Sequence, residues 1–368
     1  MTSSTVRHAY LDWVRGVAVL IMIEAHALDA WTHAADRTRP LYGYAMVLGG
    51  FGAPLFLFLA GLAAVLSAES KFRRTGDFAA SWRAVQKRGW QVFGLAFLFR
   101  LQSYVLSGGS SVLDLLKVDI LNVMGPAIAM TAVTGRMAHN TVVRGVLFAA
   151  GAVAISLLTP SVRATPLIAW LPDPIEWYFR PSPGRTNFTL FPWAAFVFAG
   201  AAVGVLIDGL RPFDVAQGRP DGRVRRLQVA LAIAGALVVW LAHQASFLPP
   251  VDPRSQYWTT SASFFFLRVG LLTLLLPLGY VWVHAPLRHK LSTWSPLEEL
   301  GRASLFVYWI HVEMAYGFLG RPIRRSLSLE GALGAYVLFT VFLLALVRLK
   351  SWLVQGRPIY LTDSKSVI

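Results

Sequence analysis

At 368 residues the chain has the length of two soluble domains, but charged residues make up 14% of it against 55% hydrophobic and its mean hydropathy is +0.54, a surface that water would not keep dispersed. The formal net charge of +15 does not signal a nucleic-acid partner, because the basic residues sit in short clusters between apolar runs, which is the pattern of membrane topology. There is no cysteine, which excludes disulfides, thiolate metal sites and a thioester carried by the protein itself.

Apolar stretches of about twenty residues predict an all-α, polytopic membrane helix bundle of about ten transmembrane helices, forming a single domain over residues 1–368. Spans are expected near 11–31, 44–68, 88–107, 114–134, 142–159, 190–208, 228–248, 264–284, 303–320 and 332–352. Lys71, Arg73, Arg74, Arg83, Lys87 and Arg88 follow the second span, whereas the loop after the third carries no basic residue. Basic residues recur after the fourth (Arg136, Arg144), sixth (Arg211, Arg219, Arg223, Arg225, Arg226) and eighth (Arg288, Lys290) spans. Positive loops stay on the cytoplasmic side, so both termini are expected there. Arg321, Arg324 and Arg325 run against that pattern. Ala25-His26-Ala27 permits a signal-peptide cleavage, but Asp12, Arg15 and Glu24 bracket the apolar run too closely for one.

The long outward loop, 160–189, is rich in proline and aromatics, among them Trp170 and Trp177, which suits a stiff interfacial lid or sugar platform, or equally an aromatic belt at the headgroups. The inward segment 212–226 has no apolar period and is expected to be a flexible insert. Residues 54–61 and 192–200 echo each other, each with a proline, aromatics and then Ala-Gly; one such echo does not establish a repeat.

Ionisable groups in hydrocarbon cost several kcal/mol and mark sites or pathways. Arg15 and His26 are eleven residues apart, which on a helix places them on one face about 16 Å apart. Asp12 precedes them on that face; Asp29 and, if the helix persists, His33 extend it outward, while Glu24 points the other way. An interfacial Asp12–Arg15 ion pair or a snorkelling Arg15 accounts for the first two equally well. His26 is harder to explain as packing, since a neutral imidazole near the membrane interior must satisfy two nitrogens and titrates near working pH. Ser304, Tyr308 and His311 share a face of a later helix, and Asp119 and Asn122 form a polar face on the fourth span. Arg100 and Gln102 lie toward the outer end of the third, where snorkelling accounts for the arginine. Membrane asparagines and glutamines also stitch helices together. No nucleotide loop, zincin or haem motif is present, and the histidines have no metal-ligand spacing.

The segment Leu11-Asp12-Trp13-Val14-Arg15-Gly16, with ten residues between Arg15 and His26, resembles the opening of transmembrane acyltransferases. Gly52-Ala53-Pro54-Leu55-Phe56 through Ala60-Gly61 resembles their second-span motif, and the stretch from Leu300-Gly301-Arg302-Ala303-Ser304 to His311 their late helix. Asp119-Ile120-Leu121-Asn122-Val123-Met124-Gly125 and Phe191-Pro192-Trp193 through Ala199-Gly200 are similar to one branch, the bacterial relatives of heparan-alpha-glucosaminide N-acetyltransferase.

That resemblance implies transfer of an acyl group, commonly acetyl, from cytoplasmic acyl-CoA (acetyl-CoA as donor substrate, no metal) to a saccharide acceptor across the membrane. It places the chain in the bacterial inner membrane among membrane lipids, and a homodimer is compatible with it. The catalytic candidates are His26, His33 and Asp29: His26 as general base on the acceptor, and His33 because the family's animal enzyme has its histidine in the outward loop after the first span. A covalent acyl-histidine is a variant. Arg15 would hold the CoA phosphates or pantetheine arm, oriented by Asp12. Asn122, or the Ser304, Tyr308 and His311 face, would donate to the developing oxyanion. A proton-coupled transporter and a noncatalytic scaffold are the alternatives; the former predicts inverted repeats, which are not evident.

Overall fold

Within hydrocarbon a backbone N–H or C=O finds its partner in its own helix, so the long apolar stretches become helices. A computed structural model describes residues 9–106, 111–209, 222–285 and 294–355. Among the described residues the helices of seven or more residues are α1 (Ala9–Trp31), α2 (Pro40–Gly49), α3 (Gly52–Thr75), α4 (Phe78–Leu106), α5 (Ile120–Arg136), α6 (Thr141–Ala164), α7 (Leu190–Gly209), α8 (Gly222–Ala245), α9 (Ala262–His284), α10 (Pro296–Arg302), α11 (Ser304–Tyr316) and α12 (Leu329–Gln355). The extended pairings among them are two isolated bridges, Thr32 with Leu327 and Val118 with Thr186.

Six helical stretches among the described residues are long and apolar enough to cross a membrane: Pro40–Thr75, Thr141–Ala164, Leu190–Gly209, Gly222–Ala245, Ala262–His284 and Leu329–Val354. The chain is therefore an integral, multi-pass membrane protein. The other expected spans fall on α1 and α4, which carry several charges, on α5 with 17 residues, and on α11 with 13. Thirteen residues rise only about 20 Å, short of the roughly 30 Å core. The inward insert expected at 212–226 lies outside the described residues up to 221; beyond that, Arg223, Arg225 and Arg226 form the first turn of α8.

The chain divides into two compact units, one comprising Pro54–Leu278 and the other Val6–Ala53 with Gly279–Ile368. In the first, the echoing segments meet. A β-carbon on Gly61 of α3 would overlap the Val197 carbonyl of α7, and one on Gly200 would overlap the Phe58 carbonyl. The shared Ala-Gly is thus a two-sided close crossing of backbones. At the end where α3 finishes, Arg144 Nη2 lies 2.7 Å from Glu69 Oε1, with both side chains buried, and its guanidinium covers Phe78 and Trp82 at 5.5 and 5.6 Å. Arg144 is therefore not the loop charge that the span pattern took it for. A bidentate Arg73–Asp208 pair lies at the same end.

The segment between α6 and α7 packs against the start of α5 and the residues before it. Val118 donates to Arg185 and accepts from Asn187, both at 3.0 Å, and Trp177 is buried against Val118 and Val123 while Trp170 stands 86% exposed. Trp177 is a core residue, and Trp170 alone of the two suits an interfacial belt.

In the second unit α1 is the central element, packed against α2, α10, α11 and α12. The arginines that break the charge pattern lie where α1 ends: Arg325 N–H donates to Ala30 O and Leu327 N–H to Trp31 O, both at 3.0 Å, and Arg321 covers the Phe318 ring at 5.2 Å.

Candidate active site

The Arg-Gly and Gly-Arg pairs of the two resemblance motifs touch. A β-carbon on Gly301 of α10 would overlap the Asp12 carbonyl of α1, and one on Gly16 would overlap the Leu297 carbonyl. This contact lets two arginines share one carboxylate: Arg15 Nη1 lies 3.1 Å from Asp12 Oδ1, and Arg302 Nε lies 3.6 Å from Asp12 Oδ2. Asp12 is 7% exposed at its side chain while the arginines are 28% and 30% exposed, so the anion sits inside and the cations reach outward. Glu298 also receives Arg302, at 3.4 Å.

α1 is unbroken from Ala9 to Trp31, so the expected face exists. On it, His26 Nδ1 lies 2.8 Å from Nε2 of His311 on α11, with the rings parallel within 4°. His311 is fully buried and its Nδ1 lies 2.8 Å from the Val307 carbonyl. Both of its nitrogens are thus engaged, and neither is turned toward an oxyanion. Tyr308 is buried with its ring edge toward His311 at 5.9 Å, and Ser304 begins the same helix.

Asp29 lies one turn beyond His26. Its Oδ2 accepts from the Tyr316 hydroxyl at 2.9 Å and its Oδ1 lies 3.4 Å from Arg37 Nη1, while Arg37 also donates to the Asp29 and Thr32 carbonyls. The Tyr316 ring stands edge-on to His26 at 5.4 Å. Tyr316 and Arg37 escape a reading of the sequence, Tyr316 because it is five residues past His311 and off its helical face, Arg37 because it is one arginine among many; Arg302 stands in the late-helix motif, but nothing in the sequence pairs it with Asp12.

His33 does not continue the face. The helix stops at Trp31, and the exposed His33 ring accepts from Ala35 N–H at 3.3 Å, capping the turn that follows. Glu24 points away from the histidines, toward Gly49 of α2.

Asp119 and Asn122 belong to the first unit, where they form a reciprocal capping box on α5. Asn122 Oδ1 accepts from Asp119 N–H at 3.0 Å, and Asp119 also holds Arg100 at 2.8 Å. The Asn122 amide donates to the Tyr178 hydroxyl at 3.4 Å. Their spacing is that of a helix N-terminus, which leaves four N–H groups to be met.

The helical spans and the polar groups that α1, α10 and α11 bring together define a multi-pass helical membrane protein with a polar cluster of imidazoles, arginines and carboxylates. A family model described as heparan-alpha-glucosaminide N-acetyltransferase, catalytic, matches residues 7–245, and the chain belongs to that family. It is accordingly an acetyltransferase in the broad sense of that family. No curated protein matches the chain. The family match includes His26, Arg15 and Asp29 and ends before α11.

Proposed function

We propose that the chain, acting as one acyltransferase domain, moves an acetyl group from cytoplasmic acetyl-CoA to an amine or hydroxyl of a sugar at the outer face of a bacterial inner membrane, with both termini in the cytoplasm. The observation that carries this is geometric. Arg15 and the half-buried His26 belong to one face of the unbroken helix α1, and Arg302 of α10 reaches the same carboxylate, Asp12, that holds Arg15. The eleven-residue step from Arg15 to His26 spans about 16 Å, roughly half the hydrocarbon core. A phosphate-bearing donor held by the arginines would extend its thioester toward the imidazole from the side opposite the acceptor.

His26 is the general base. As the acceptor nitrogen or oxygen bonds the thioester carbonyl carbon, its N–H or O–H proton passes to the imidazole. Collapse of the tetrahedral adduct breaks the C–S bond, and the departing CoA thiolate takes up that proton.

The test is acetyl-CoA turnover by purified protein with glucosamine as acceptor. His26→Ala should remain folded and bind acetyl-CoA but turn over about 100-fold more slowly or worse, a loss of about 2.7 kcal/mol. His33→Ala should change the rate only modestly. The reverse pattern transfers the base to His33, and near-normal turnover by both rejects histidine base catalysis here.

A further inference from the structure

We infer that His311 is a positioning residue: it fixes which nitrogen of His26 carries the proton, with the Tyr316 ring packed edge-on to the same imidazole. The inference rests on His26 as base. His311 Nδ1 lies 2.8 Å from the Val307 carbonyl, and a carbonyl only accepts, so Nδ1 carries the hydrogen and Nε2 of the neutral ring carries the lone pair. That Nε2 is 2.8 Å from His26 Nδ1. Two lone pairs cannot meet at this distance, so His26 donates from Nδ1. Its Nε2 is then the unprotonated nitrogen, the one able to take the acceptor's proton.

This order survives the chemical step. When His26 Nε2 is protonated the ring becomes a cation, and its Nδ1–H bond to His311 becomes charge-assisted and stronger without any rearrangement. A carboxylate commonly fills this orienting role. Here the carboxylate one turn away, Asp29, is bound by Tyr316 and Arg37, and a buried neutral imidazole takes the position. Among the described residues, the charged and titratable groups near the pair include Asp29 and Arg37 on the α1 side and Tyr308 and Tyr316 on α11.

Two variants and one spectrum test this. His311→Leu removes the acceptor, whereas His311→Gln places an amide oxygen near the former Nε2. His311→Leu should lower kcat about 10- to 100-fold with acetyl-CoA affinity unchanged. His311→Gln should recover most of that loss and keep the ionisation near neutral pH that His26→Ala abolishes. In nitrogen-15 spectra of histidine-labelled protein, the signal lost in His26→Ala should be an Nδ1–H tautomer in the parent and in His311→Gln, and should shift toward Nε2–H in His311→Leu. If His311→Leu retains parental kcat, or the His26 signal shows Nε2–H in the parent, the positioning role is overturned while a slow His26→Ala leaves the base reading intact. Normal turnover by His26→Ala overturns the base reading instead. Should His311→Leu fail to fold, the parent spectrum and His311→Gln decide.

Discussion

Gly301 of α10 lies so close to Asp12 of α1 that a β-carbon on the glycine would overlap the aspartate carbonyl, and this approach brings Arg302 to the carboxylate that also holds Arg15. Overpacking such a crossing forces backbones apart and costs about 1–3 kcal/mol. Gly301→Ala should lower the thermal midpoint in detergent and weaken acetyl-CoA binding together. Gly334→Ala on α12, where a β-carbon meets nothing within 4 Å, should do neither. Equal midpoints for the two variants would remove the crossing as the cause.

The arginine pair is expected to bind donor phosphate. Hydrogen bonds to charged groups contribute about 1.5–3 kcal/mol, so Arg15→Gln and Arg302→Gln should each raise the Kd for acetyl-CoA about tenfold or more and reduce its salt dependence. Calorimetric titration at two ionic strengths checks this. A Kd indifferent to both substitutions would move the donor elsewhere.

Glu69 and Arg144 form a buried pair, and removing one partner of such a pair costs about 3–5 kcal/mol because the other charge is left unmatched. Glu69→Leu and Arg144→Met alone should unfold at markedly lower temperature, while the double variant should recover much of the loss. Additive losses in the double-mutant cycle would show that the two do not interact.

Asp252, between α8 and α9, accepts from Arg254 and from the Ser161 hydroxyl at 2.8 Å, and the Arg254 bonds hold its carboxyl well below the usual carboxylate range. A depressed carboxyl contributes stability above its unfolded pKa, near 3.9, and loses it only as pH falls through the folded value. The loop should therefore resist trypsin at Arg254 equally at pH 8 and pH 5, and Asp252→Asn should raise cleavage at both.

The absence of cysteine makes single-cysteine labelling free of background. Trp170→Cys and Val251→Cys, both more than 80% exposed in the parent, should react with a membrane-impermeant maleimide from outside intact cells. Arg225→Cys should react only after lysis. Labelling of Trp170→Cys only after lysis would invert the proposed topology.

Sequence and tertiary structure contribute differently here. Helical class and membrane residence follow from long apolar runs, since hydropathy is a local property and the bilayer leaves the backbone no other solution. The shared face of Asp12, Arg15, His26 and Asp29 was likewise legible, because 3.6 residues per turn fixes it within one helix. Among the described residues six helical stretches are long and apolar enough to cross a membrane, and three helices outside that set, α1, α10 and α11, carry the site's His26, Arg302 and His311. Only the folded chain decided that His26 meets His311, 285 residues away, that Asp119 and Asn122 close a helix end, and that Arg144 is a core cation. These outcomes depend on which helices cross and at what distance. Glycine contacts such as Gly16 with Leu297 and Gly61 with Val197 set that distance, and pairing between distant segments has no periodic signature in either one.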